Sequence, residues 1–170
     1  TQEEIDSFFR TASFEEKDNE ITTQTINDLD VETIKQYRML FAQTNLGHRY
    51  LPLSDEEFLE KMSVIKNEKI TYWGLLVFGK EDVIILNMPH YKIEYLEISG
   101  TSYDDSPSRY DFRISSENNL FQTFLLIYER LLKKIEVSFS VKQGIRNDDP
   151  PHLQAIREAI VNMIIHADYF

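Results

Sequence analysis

Asn119-Leu120-Phe121-Gln122-Thr123-Phe124-Leu125-Leu126-Ile127-Tyr128-Glu129-Arg130-Leu131-Leu132-Lys133-Lys134 is the stretch on which the fold class turns. Leu120, Phe121, Phe124, Leu125, Tyr128, Leu131 and Leu132 recur at i, i+3 and i+4 spacing and predict a helix with a broad apolar face. Lys133 and Lys134 suit the negative end of its dipole. The period then changes: Val137, Phe139 and Val141 alternate with Ser138, Ser140 and Lys142 as far as Gly144, which is a strand pattern. A strong helix that hands over to a strand within a few residues predicts an α+β fold, a mixed short sheet packed with several helices.

Upstream, Tyr110, Phe112 and Ile114 alternate as a short strand after an exposed loop from Tyr103 to Ser108. Ile93 to Ile98 has strand composition, but its alternation slips at Leu96 and suggests a bulge. The runs Ile70–Phe78 and Val83–Leu86 are too short for periodicity to separate helix from strand. Ser54 and Glu57 form a capping box that predicts a helix to about Lys66, with Phe58, Leu59, Met62 and Ile65 inward. Asp30 caps another, from about Val31 to Thr44, with Leu29 and Ile34 as a staple and Val31, Ile34, Tyr37 and Phe41 on one face. The two helices, joined through Leu51-Pro52-Leu53, imitate a helix-turn-helix, but Asp55-Glu56-Glu57 at the second start would repel phosphates. An opening helix is expected over Gln2–Phe9, then a polar stretch from Glu15 to Thr25.

Composition bounds the function. The 170 residues carry a net charge of −11, which argues against a surface built mainly to grip nucleic acid. Ten acids against Arg10 and Lys17 make residues 1–34 net −8, leaving −3 for the rest, and nothing in the sequence marks a basic patch. The absence of cysteine excludes disulfides and thiolate chemistry. No apolar run approaches the roughly 18 residues that span a bilayer, so a cytoplasmic location is expected. The chain starts with Thr1 and stops at Phe170 directly after a helical pattern, and both ends read as cuts in a longer protein.

Gly74-Leu75-Leu76-Val77-Phe78-Gly79-Lys80 fits G-x-x-x-x-G-K, yet four bulky apolar residues fill the loop and Glu81 stands where Ser or Thr should hold magnesium. The stretch reads as core. His48, His90, His152 and His166 are scattered without a metal-ligand spacing, and His166 and Asp168, two apart on a helix, do not face each other. No metal site is predicted. Pro150-Pro151 announces a final helix whose apolar face is Leu153, Ile156, Ala159, Ile160 and Met163. Beside that face, Glu158 and Asn162 stand one turn apart. A carboxylate next to a neutral amide can orient a water and contact a magnesium ion, although many exposed helices carry E-x-x-x-N.

Arg157-Glu158-Ala159-Ile160-Val161-Asn162, followed by His166-Ala167-Asp168-Tyr169, resembles the R-E-A-[LIV]-[LIV]-N-x-x-x-H-R-D-Y signature of bacterial transcriptional regulators often labelled RecG-related helicase-like proteins. The Asp28-Leu29-Asp30 helix start and Leu75-Leu76-Val77-Phe78-Gly79 are similar to earlier segments of that family. The resemblance implies a division into an acidic linker and N-terminal helix (1–29), a central α+β domain (30–145) and the start of a truncated ATPase-like domain of the gyrase, Hsp90 and histidine-kinase type (146–170). By it, Glu158 corresponds to the general base and Asn162 to the magnesium-contacting amide for Mg-ATP. The family's Arg is Ala167 here, and its D-x-G and glycine-rich boxes would lie beyond Phe170. It also favours a Thr71-capped buried helix over a strand for 71–80.

No cofactor is therefore expected in these residues alone, and DNA contact is expected only through an Alba-like, Schlafen-type or winged-helix module outside them. The expected function is a linking, regulatory or dimerisation module of a transcriptional regulator, with homodimer formation as one outcome. The alternatives are part of an ATP-hydrolysing helicase-like enzyme with Glu158 as base, and a self-standing interaction domain whose terminal motif is coincidental.

Overall fold

Asp30 starts the first long element. In the computed structural model, which describes residues 17–100, 109–134, 141–142, 145–146 and 151–169, its carboxylate accepts from the Glu32 amide at 3.2 Å and from the Thr33 hydroxyl, capping α1 (Val31–Thr44). The staple residues Leu29 and Ile34 are both buried. Val31, expected inward, is 54% exposed; it occupies the first helical position, and the inner place in that turn goes to Thr33. Tyr37 and Phe41 pack as expected, Tyr37 edge-on to Phe78 at 5.2 Å and Phe41 edge-on to Phe58 at 5.3 Å.

The second helix is shorter than its pattern. α2 (Asp55–Lys61) begins in the Ser54–Glu57 capping box but ends where Ser63 turns left-handed at φ 58°. The Ser63 and Val64 amides then donate to the Glu60 and Leu59 carbonyls, which closes the helix in a Schellman motif. Ile65 and Lys66, expected to extend it, form β1 (Ile65–Lys66), paired antiparallel with β2 (Lys69–Ile70) across Asn67 and Glu68, both at positive φ. Positive φ at both turn residues matches the twist of a tight hairpin. The turn between α1 and α2 is held by Arg38, which donates to the carbonyls of Leu51 (3.1 Å) and Leu53 (2.7 Å), pairs with Asp55 and lies over the Phe58 ring.

Thr71 caps α3 (Tyr72–Phe78), its hydroxyl accepting from the Gly74 amide at 3.0 Å and donating to the Ser63 carbonyl at 3.0 Å, so 71–80 is the Thr-capped helix. α3 is buried over five successive residues, Gly74 to Phe78. A Cβ on Gly74 would sit 2.6 Å from the Val64 carbonyl oxygen, so α3 and that backbone approach as closely as glycine allows. Val83–Leu86 resolves as part of α4 (Glu81–Asn87). These elements belong to one compact unit, Thr1–Asn87, with Leu29, Phe58, Leu59, Val64, Ile70, Leu75 and Ile84 in its centre.

The second unit, Met88–Phe170, is built on β3 (Ile93–Glu97) and β4 (Phe112–Ser116), antiparallel in unbroken register from Ile93↔Ser116 to Glu97↔Phe112. No bulge interrupts β3. The alternation holds once Glu97 is counted as inward with Ile93 and Tyr95, because its carboxylate is buried against cations. Arg130 of α5 (Leu120–Lys134) grips it with two bonds of 2.8 Å, Lys134 pairs with it at 2.6 Å and the Tyr95 hydroxyl donates at 3.0 Å. Arg130 also covers the ring of Phe112, opposite Glu97 in register, at 3.8 Å. These contacts, the Arg130 guanidinium first, hold the Glu97 carboxyl at about 2 against its ordinary 4.5.

The unfolded chain therefore takes up that proton first as pH falls. Stability of the Met88–Phe170 unit from this group is complete above about 4.5 and is lost on descending towards about 2. Thermal melts should show a drop of several degrees across that window, flattened in Glu97→Gln, whose melting point is already lower at pH 7. A wild-type slope in the variant would refute this role.

α5 has the expected limits, and the buried Asn119 accepts from the Gln122 amide at 2.9 Å as its N-cap. The centre of its inner face is Leu120, Thr123 and Ile127, with Phe121, Phe124, Leu125, Tyr128, Leu131 and Leu132 half-buried around it. Thr123 is tolerated there because its hydroxyl meets Ser116 at 2.8 Å. Beyond α5, β5 (Val141–Lys142) pairs antiparallel with β6 (Ile145–Arg146), and α6 (Pro151–Ile165) follows. The expected helix Gln2–Phe9, the loop Tyr103–Ser108 and the Val137–Ser140 part of the expected strand lie outside the described residues. The class is α+β as expected, but its described strands form three separate two-stranded antiparallel ladders instead of one mixed sheet. No helix among the described residues is long and apolar enough to cross a membrane.

Candidate functional site

α6 carries the residues singled out by the sequence. Pro151 opens it, as the Pro-Pro pair predicts. Its buried line is Leu153, Ile160 and Ile164, with Ile156 half-buried; Ala159 and Met163, expected inward, face outward, Met163 at 53% exposure. The apolar face is thus rotated from the expected one, following the i, i+4 step from Ile160 to Ile164. Glu158 and Asn162 are both exposed. The helix ends with the His166 amide donating to the Asn162 carbonyl at 3.2 Å.

The end of the motif has a structural role that sequence reasoning missed. Tyr169 is buried and donates its hydroxyl to the Ile164 carbonyl at 2.6 Å, satisfying a helix-end acceptor. Its ring lies 5.5 Å from that of Tyr91, also buried, whose hydroxyl donates to the Asn118 carbonyl at 2.5 Å. Burial pushes the Tyr91 phenol up to about 12 and the Tyr169 phenol above its usual range. Both are packing residues that stay protonated. Beside them a cleft of about 220 Å³ is lined by His90, Lys92, Glu94, Met163, Ala167 and Asp168 among others. Glu94 in its wall is already paired with Lys92 (3.3 Å) and Arg113.

The Glu158 carboxylate and the Asn162 amide, both exposed, each offer an oxygen of the kind magnesium accepts. Magnesium requires about six oxygens in near-octahedral geometry, and among the described residues no group of three His, Cys, Asp or Glu could hold a metal. A magnesium or phosphate site at this helix would need further ligands from outside the pair.

The other candidates resolve into structure. His48 stacks edge-on between Phe41 (5.1 Å) and Tyr50 (4.7 Å) and accepts from the Tyr50 amide, while His152 and His166 are exposed. In the G-x-x-x-x-G-K stretch, the Lys80 ammonium donates to the Asn27 carbonyl at 2.7 Å and the Lys80 amide to the Asp28 carbonyl, so the lysine ties α3 to the turn before α1. The Glu97 cluster was the other feature missed. Its signal was the slip at Leu96 together with Arg130 and Lys134 on the facing helix.

An α+β chain of two small units, with its acid–amide pair outside both cores, is what these observations define. It belongs to the family described as Domain of unknown function (DUF8451), whose model matches residues 6–94, just over half of the chain. Glu158 and Asn162 lie beyond that match. The fold is similar to the crystal structure of the DIP2311 protein from Corynebacterium diphtheriae, at a TM-score of 0.60 and 18% identity, covering 90% of this chain. This chain spans 28% of the length of that one. None of the curated proteins matches the sequence.

Proposed function

We propose that these residues are the linking and regulatory part of a larger cytoplasmic transcriptional regulator, in which α6 offers Glu158 and Asn162 to a Mg-ATP-binding domain and DNA is bound by other modules. One observation carries the reading: Glu158 and Asn162 stand exposed on a helix whose opposite side, Leu153, Ile160 and Ile164, is buried. The helix is anchored by one face and leaves the acid–amide pair for a partner surface. The similarity to only 28% of a longer chain supports a modular setting. The charge of −11 supports placing DNA recognition elsewhere.

Anisotropy titration of the 170-residue chain with duplex DNA should detect no binding, and calorimetric titration with Mg-ATP should detect none that depends on Glu158 or Asn162. A longer protein containing it should bind Mg-ATP, about tenfold more weakly after Asn162→Ala. Tight, salt-dependent DNA binding by the 170 residues would overturn the reading.

A further inference from the structure

The cleft lined by Arg49, Tyr50, Leu53 and Lys61, about 280 Å³, lies in the Thr1–Asn87 unit, whereas Glu158 and Asn162 belong to the Met88–Phe170 unit. Its cations are unusual for this protein, in which acids outnumber bases 29 to 18. Five other described cations of the unit are committed to oxygens: Lys35 to Glu32, Arg38 to Asp55, Lys66 to Asn19, Lys69 to the Thr23 carbonyl and Lys80 to the Asn27 carbonyl. Arg49 and Lys61 form no ion pair within 4 Å among the described residues. Arg49 lies over the Tyr50 ring at 5.1 Å and donates to the Tyr50 hydroxyl at 3.3 Å. Lys61 feels Glu57 one turn back, and that carboxylate is bound by the Ser54 amide and hydroxyl, each at 2.9 Å. The nearby carbonyls of Leu51 and Leu53 and the Asp55 carboxylate are all taken by Arg38.

We propose that this cleft binds a small phosphomonoester. The Arg49 guanidinium and Lys61 ammonium take phosphate oxygens, the Tyr50 hydroxyl donates to a third, and the body of the ligand lies against Leu53. All three polar groups can donate, and two carry fixed positive charge, which suits a dianion with several acceptor oxygens. The volume, equal to about nine waters, admits a phosphate with a small ring attached.

The test is a ¹H–¹⁵N NMR titration of the 170-residue chain with inorganic phosphate, phenyl phosphate and AMP, each against sodium chloride at the same ionic strength. The expected result is saturable shifts at residues 48–53 and 61, with the two esters binding at least about fivefold more tightly than inorganic phosphate. Equal affinity for both esters assigns a phosphate on any apolar body; preference for AMP assigns a nucleotide. Arg49→Gln with Lys61→Gln, both at exposed positions, should abolish the shifts and leave the remaining spectrum in place. Shifts that do not saturate, that chloride reproduces, or that persist in the double variant would overturn the proposal.

Discussion

Replacing Gly74 by alanine is expected to destabilise the Thr1–Asn87 unit by about 3 kcal/mol or more, far beyond what one methyl group costs on an open surface. The new Cβ would lie 2.6 Å from the Val64 carbonyl oxygen and 2.7 Å from its Cγ1, inside van der Waals contact on both sides. Neither neighbour can retreat cheaply. The Val64 carbonyl accepts from the Thr71 amide at 3.0 Å and from its hydroxyl at 3.3 Å, and Val64 itself is fully buried. Moving α3 away would break the Thr71 cap and open a void along Leu75 and Phe78. Domains of this size hold only about 5–15 kcal/mol in total, so the unit should melt far below the wild type in urea followed by circular dichroism. Gly47→Ala is the control. There a side chain has open space but must adopt φ +75°, which costs about 1 kcal/mol. Equal midpoints for Gly74→Ala and the wild type would refute the close packing of α3.

Where local chemistry set the outcome, the sequence was a sufficient guide. Asp30 and Ser54 cap helices through their own side chains as their patterns predict, and the alternation of Phe112 and Ile114 marks a real strand; the Thr71 cap followed only from the family resemblance, and Asn119, read as the first helical residue, is a cap instead. What periodicity could not show was tertiary compensation. Ile65 has the right spacing to continue α2, but a left-handed Ser63 and a hairpin at Asn67 and Glu68 take it into β1. Glu97 looks like a break in a strand until Arg130 and Lys134 arrive from 33 and 37 positions further on. The α6 face was misjudged because Ala159 and Met163 fit the helical period as well as Ile164 does, and only the packing shows which side is covered.

The candidate site divides the same way. Glu158 and Asn162 were visible as a spacing, and their exposure agrees with a role outside the core. Tyr169 could be quoted as part of a motif, but its bond to the Ile164 carbonyl and its contact with Tyr91, 78 residues earlier, could not be read from the sequence. Arg49 and Lys61 share no pattern at all. Their significance comes from their convergence on one cleft while Asp55 is held by Arg38 and Glu57 by Ser54.

Turnover of ATP by a longer protein carrying these residues is the measurement closest to the central claim, that Glu158 belongs to a site completed by a further domain. The family resemblance makes Glu158 the general base, whose loss lowers a rate by about 10²–10⁴, so on that reading Glu158→Ala should reduce kcat by at least about a hundredfold. Glu158 is exposed and outside the packed face of α6, so the variant should keep its fold and its nucleotide affinity within about threefold. A collapse of kcat with the dissociation constant for Mg-ATP retained is the predicted result; unchanged turnover in Glu158→Ala would contradict it.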